Sequence, residues 1–253
     1  MSGTLTVVGL GPGEPRFMTP EAADAIAQAQ DFFGYIPYLD RLCLRPDQRR
    51  HASDNRQEIS RAEAALDLAA RGGKVCVVSG GDPGVFAMAA AVCEAIDTGP
   101  EDWRRIDFRV VPGVTAMLAV AARAGAPLGH DFCAISLSDN LKPWEIIEKR
   151  LVAAANAGFV MAFYNPVSKA RPHQLDTAFD VLRAHLPGGV PVIFGRAAGR
   201  ADERIRIETL ASAKGDMADM ATCIIVGSEL TRLIERPDRA PLVYSPRFWD
   251  SRT

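Results

Sequence analysis

Three short glycine segments are the stretches best suited to hold a small molecule: GLGPG over Gly9–Gly13, SGGDPG over Ser79–Gly84 and VPGVTA over Val111–Ala116. Each follows an apolar run that reads as a strand, and glycine at a strand end lets the backbone come close to a ligand or to another loop. The first invites comparison with a dinucleotide-binding turn, which needs G-x-G-x-x-G leading straight into a helix whose open N–H groups meet the pyrophosphate. Here Glu14 stands where the last glycine is required, and Pro12 has no N–H. The helix start is also delayed to Thr19, a candidate N-cap, with Pro20 at the first helical position and Glu21 behind it. No Lys-Ser/Thr pair follows for a triphosphate loop. The spacing suits a flat or cationic ligand, or a tight structural turn, and turns anions away. In the second segment, Asp82 reads either as the cap of a helix beginning at Pro83 or as a ligand contact, with Gly80 and Gly81 offering backbone and Val85 and Phe86 an apolar side. In the third, Thr115 offers a hydroxyl.

The elements that must position these loops follow from periodicity. Short β-rich apolar runs alternate with segments of helical period, the pattern of a mostly parallel sheet covered by helices. Strands are predicted near Leu5–Gly9, Asp31–Tyr35, Lys74–Ser79 and Ile106–Val111, then near Phe132–Leu137, Phe159–Tyr164, Val190–Gly195, Arg204–Thr209 and Cys223–Val226. Helices are predicted over Asn55–Arg71, after Gly84 with Val85, Met88, Val92 and Ile96 in a stripe, and over Arg171–Leu186. The segment Pro112–Gly129 is helical in its middle and punctuated by Gly and Pro at both ends. It is read as a linker or hinge, 113–129, between an N-terminal αβα domain, 1–112, and a C-terminal one, 130–253.

Composition narrows the function classes. With 253 residues, 48% of them hydrophobic, the chain can bury a sizeable core. Its 29 basic and 31 acidic residues nearly cancel, so neither nucleic acid nor an acidic membrane is an expected partner, and an anionic ligand must be met by a local basic cluster. No apolar run approaches the roughly 20 residues of a membrane span, and the N-terminus reads straight into a strand, so the protein is expected in the cytoplasm. Five scattered cysteines, Cys43, Cys76, Cys93, Cys133 and Cys223, read as buried free thiols, and four scattered histidines share no ligand spacing, so no metal is expected.

Taken together and in this order, the three glycine segments resemble the tetrapyrrole methyltransferase family. Further stretches narrow the likeness: GYIPYLDRL (Gly34–Leu42), SLSDNLKPWEIIEKRL (Ser136–Leu151), FYNPVSKARPHQL (Phe163–Leu175) and VYSPRFW (Val243–Trp249) are similar to the branch that methylates a corrin precursor at ring carbon 17 and contracts the ring in cobalamin synthesis. The resemblance implies an α/β fold of two αβα domains with mixed, mostly parallel sheets and the active-site cleft between them, S-adenosylmethionine as cofactor with S-adenosylhomocysteine as its product, a tetrapyrrole substrate and a homodimer. Carried over position by position, it implies cofactor contacts at Pro12, Gly80, Gly81, Asp82, Val85, Phe86, Thr115 and Ala116. In the second half it implies Ser136, Leu137, Tyr164, Asn165, Ala197 and Ala198. Related enzymes often have methionine where Asn165 stands and threonines near Ala197, so there the backbone is the expected contact.

Methyl transfer from a sulfonium to a ring carbon needs alignment more than proton chemistry, whereas the ring contraction that the resemblance implies needs a group to take a proton from a substrate hydroxyl. Glu14 is the leading candidate for that group, followed by Asp139 and Tyr35. A substrate rich in carboxylates calls for cations, and Arg16, Arg41, Lys142, Lys169, Arg171, Arg196 and Arg200 lie on the motif loops. Competing readings are another corrin-pathway methyl transfer, a cobalt-loaded substrate, a nicotinamide-dependent oxidoreductase and a non-catalytic tetrapyrrole carrier.

Overall fold

A computed structural model describes residues 3–54 and 57–248. Asn55 and Arg56, at the start of one expected helix, and Trp249, which ends the VYSPRFW stretch, lie outside the described residues. The chain divides after Ala116 into two compact units.

The first unit contains β1 (Thr4–Gly9), α1 (Pro20–Gln28), β2 (Asp31–Tyr35), α2 (Ile36–Leu39), β3 (Arg49–Ser53), α3 (Glu58–Ala70), β4 (Lys74–Ser79), α4 (Met88–Thr98) and β5 (Asp107–Val111). All five strands run parallel, in the order β3-β2-β4-β1-β5. Alternate residues face opposite cores, as a pleated strand requires. Val75 and Val77 pack with Leu5, Val7 and the apolar face of α3 and α4, while Cys76 and Val78 pack with Val8, Leu10, Phe32 and Ala22 of α1. Strand β3 escapes the periodicity because its sequence, RRHAS, is that of a charged edge strand. It is held instead by polar contacts: the buried Asp31 carboxylate accepts from Arg49 at 2.8 and 2.6 Å and pairs with His51 at 2.8 Å.

The second unit contains α5 (Ala116–Ala124), which runs across the division, then β6 (Gly125–Ala126), β7 (Phe132–Ser136), α6 (Trp144–Asn156), β8 (Val160–Tyr164), α7 (Gln174–Arg183), β9 (Pro191–Arg196), β10 (Arg204–Thr209), β11 (Thr222–Val226), β12 (Arg232–Ile234) and β13 (Leu242–Tyr244). Its main sheet has the order β10-β9-β11-β8-β7, and β12-β13-β6 form a small second sheet. The first unit's sheet is wholly parallel and this one is mixed, as expected: β7 and β8 are parallel and the other pairs of the main sheet are antiparallel. The reason is in the connections: residues 197–203 are too few for a crossover helix, so β10 folds back beside β9. One face of this sheet, with Met161, Phe163, Val192, Phe194, Ile224 and Val226, packs on α6 and α7. The helical part of Pro112–Gly129 is α5, and a Cβ added at Gly195 of β9 would lie 2.1 Å from the Val120 side chain, so glycine is what lets the helix sit against the strand. Among the described residues no helix is long and apolar enough to cross a membrane.

Candidate active site

In the first unit all strands point the same way, so the loops after β1, β2, β4 and β5 emerge at one end of the sheet, where α/β folds bind ligands. The glycine loops are laced to one another. Leu10 N–H donates to Ser79 O at 2.9 Å, Gly11 N–H to Gly81 O at 3.1 Å, and Gly81 N–H to Gly11 O at 2.9 Å. With those donors used and Pro12 lacking one, this turn is a poor phosphate cradle. Gly11 and Gly81 both sit at positive φ, +68° and +67°, which glycine adopts without strain. Gly9 and Gly113 serve contact instead: a Cβ on either would meet the other loops' backbone at 2.7 Å or less. Gly81 differs, since an added Cβ would meet nothing closer than Thr115 Cα at 3.8 Å. A methyl group there would make ordinary van der Waals contact with residues 114–116, so the backbone conformation and not crowding is what calls for glycine.

Asp82 is not a helix cap. Helix α4 begins only at Met88 and its N-cap, Ala87, makes no side-chain capping bond. The Asp82 carboxylate accepts from Gly84 N–H at 2.8 Å and from Gly113 N–H at 3.0 Å, so it ties the second glycine segment to the third. Pro83 starts a turn, not a helix, and within that turn Phe86 is half exposed at φ +53°. The delayed first helix is as the sequence indicates: Thr19 accepts from Ala22 N–H at 3.1 Å with Pro20 in the first turn. Sequence reasoning missed the fastener of the first loop. The Arg41 guanidinium donates to the carbonyls of Leu10, Gly11 and Gly13 at 2.7, 3.1 and 2.6 Å. A planar fork can reach three carbonyls of one turn, but nothing in the sequence marks which arginine does so.

In the second unit, β7, β8 and β9 share one direction, because β8 and β9 are each antiparallel to β11. Their carboxyl ends bring Ser136 and Leu137, Tyr164 and Asn165, and Ala197 and Ala198 to one end of the sheet. Asn165 Nδ2 donates to Ser136 Oγ at 3.0 Å, and the Tyr164 hydroxyl accepts from Met117 N–H at 3.0 Å, capping the start of α5. Ala197 and Ala198 are buried, and Gly199 N–H donates to Glu203, which Arg123 braces at 2.7 Å. Three of the four described non-glycine residues at positive φ are Phe86, Asn165 and Ala197 at 53°, 52° and 49°. Each lies where the family resemblance puts a cofactor contact, and backbone held in sparsely populated regions clusters at functional sites. Asparagine tolerates this conformation better than methionine, which gives the Asn165 departure a local reason.

The family model of tetrapyrrole (corrin/porphyrin) methylases matches residues 4–214, most of the chain. This protein belongs to that family. A Sinorhizobium relative named precorrin-3B C(17)-methyltransferase is 68% identical over 98% of both chains. A Salmonella typhimurium relative, a probable cobalt-factor III C(17)-methyltransferase, is 41% identical over 90% of this chain and 93% of its own. The crystal structure of the methyltransferase CobJ superposes with a TM-score of 0.92 at 51% identity, covering 97% of this chain and all of that one. In this tetrapyrrole methylase the remaining nominated residues separate by what they touch. Glu14 is exposed and pairs with the exposed Arg16 at 3.0 Å. Tyr35 ends β2 with its ring edge-on to Tyr38 at 5.5 Å, and Tyr38 in turn fills the space a Cβ at Gly80 would need. Arg196 is held between Asp202 and Asp219, both at 2.7 Å. Arg200 and Lys169 are exposed, while Asp139, Lys142 and Arg171 come together in the second unit.

Proposed function

We propose that this chain methylates precorrin-3B at ring carbon 17 and contracts the ring to precorrin-4 in cobalamin synthesis. The observation that carries the reading is the 68% identity, over essentially the full length, to the relative of that name. The chain is far less similar to the cobalt-factor III relative, which favours a metal-free macrocycle. S-adenosylmethionine would supply the methyl group from a positively charged sulfonium. The residues present fit such a group: the Leu10 and Gly11 N–H donors are spent internally and Pro12 has none, so phosphate is not favoured, and the Gly81 backbone lies close to that of the buried Thr115. Pro12, Gly80, Gly81, Asp82, Val85, Phe86, Thr115 and Ala116 would hold it from the first unit. Ser136, Leu137, Tyr164, Asn165, Ala197 and Ala198 would do so from the second.

Their work is positional. Alignment of reactants in a dry site can supply about 7–11 kcal/mol of barrier lowering, and loops tied by Asp82, Arg41 and the Gly11–Gly81 pair lose little further entropy when they close on a ligand. For the ring contraction, Glu14 would accept the substrate hydroxyl proton, its exposed position leaving Arg16 to exchange toward a substrate carboxylate. Asp139 and Tyr35 are the alternatives. The working protein would be a homodimer in the cytoplasm. Incubation with methyl-labelled cofactor and either metal-free precorrin-3B or its cobalt-loaded counterpart, followed by mass spectrometry, tests this directly. One labelled methyl on a ring-contracted, metal-free product is the expected result. Transfer only to the cobalt-loaded macrocycle, or to neither, overturns the reading.

A further inference from the structure

Of the seven cations nominated for substrate carboxylates, Arg41 spends its guanidinium on three loop carbonyls and Arg196 on two aspartates. A different group is undercompensated. Lys142 lies just before α6, donates to Ser138 O at 3.2 Å and is partly buried. Burial, and then the neighbouring Arg150 and Arg171, push its ammonium below the usual lysine range, with Asp139 opposing them. The Arg171 side chain is only 13% exposed, and its nearest carboxylate oxygen, on Asp139, is 3.7 Å away. Arg171 donates to Gln174 Oε1 at 3.3 Å, so Asp139 is the carboxylate beside Lys142 and Arg171, and it is loosely held. Arg171 also closes a tight turn by exchanging backbone hydrogen bonds with Ser168, whose buried hydroxyl has no hydrogen-bond partner. Two partly buried cations, in a segment with an unsatisfied hydroxyl, are costly unless an anion completes them. Leu141, on the same loop as Lys142, stands 99% exposed.

We infer that Lys142, Arg171 and the Ser168 hydroxyl, with the charge of the exposed Arg150 adding to theirs, bind one carboxylate arm of the tetrapyrrole, and that Leu141 lies against the apolar edge of its ring. This rests on the proposed substrate and says which cations meet it. A guanidinium and an ammonium on two loops can hold a carboxylate from two sides, and a serine hydroxyl can donate to its remaining lone pair.

The test uses the full chain, with precorrin-3B as substrate and S-adenosylhomocysteine as a calorimetric probe. Lys142→Gln and Arg171→Gln should each raise KM for precorrin-3B about tenfold, leave the affinity for S-adenosylhomocysteine within twofold, and weaken the salt dependence of KM. Ser168→Ala should raise KM a few-fold without lowering the melting temperature, since its hydroxyl has no protein partner to lose. An unchanged KM in Lys142→Gln and Arg171→Gln, with methyl transfer intact, overturns the carboxylate site and leaves the function standing. So does a Ser168→Ala variant that loses stability at constant KM. Wild-type protein that neither binds S-adenosylhomocysteine nor transfers methyl defeats the function itself.

Discussion

Single side chains here do two distinct jobs, holding loops and meeting ligands, and the structure separates them. Arg41 is a loop holder. Replacing it with lysine keeps the charge but loses the fork, and hydrogen bonds to a charged donor contribute about 1.5–3 kcal/mol. Arg41→Lys should therefore lower stability by about 1–2 kcal/mol in urea titration and weaken S-adenosylhomocysteine binding about tenfold by calorimetry, because the first loop loosens. The cysteines give a second residue-scale expectation, and they correct the reading of all five as buried. Cys43 and Cys93 are exposed, Cys133 is half-buried, and Cys76 and Cys223 are buried. Burial raises the Cys76 thiol far above the usual range and pushes Cys223 up to about 12, so neither supplies thiolate at neutral pH. A disulfide reagent should label Cys43 and Cys93 quickly in native protein, Cys133 slowly, and the other two only after unfolding.

Whole elements depend on a few close approaches. Helix α5 meets β9 at Gly195, where an added methyl would overlap Val120 at 2.1 Å. Overpacking of this kind costs about 1–3 kcal/mol, so Gly195→Ala should melt several degrees lower, and adding Val120→Ala should recover part of the loss. Recovery identifies the contact, whereas simple additivity would place the strain elsewhere. Edge strand β3 depends instead on charge. Hydrogen bonding from Arg49 holds the Asp31 carboxyl below its usual 3.8, against the opposing effect of burial and with further help from His51. A depressed folded pKa stabilises above the unfolded value and loses that contribution as pH falls through the folded one. Denaturation curves should then show stability dropping below about pH 4, and Asp31→Asn should flatten that acid limb while lowering stability at pH 7.

At the scale of the whole molecule, a ligand that binds the folded chain and not the unfolded one must raise its melting temperature. At about 100 times Kd the gain is about 2.7 kcal/mol, which for a chain of this length means roughly 5–10 °C with S-adenosylhomocysteine by differential scanning fluorimetry. Adenine dinucleotides should give no shift, because the first loop has spent its Leu10 and Gly11 N–H donors and Pro12 has none. Much of this molecule is legible in its sequence because it is local. The apolar periods mark β2, β4 and β10 to the residue; Thr19-Pro20 marks the start of α1; and the glycine segments mark the strand ends that carry the site. Edge strand β3 and the short β6, β12 and β13 carry too few apolar residues for a period to appear, and the antiparallel course of the second sheet follows from a short connection. What the sequence could not supply is partnership across long separations: Asp82 with Gly113, Arg41 with the first loop, Gly195 with Val120, and Lys142 with Arg171. The sequence by itself determined the longer apolar strands, the glycine loops and the family. Only tertiary structure decided which charges are spent inside the protein and which await a ligand, since a side chain's partner is set by where the fold brings the backbone and not by its neighbours in the chain.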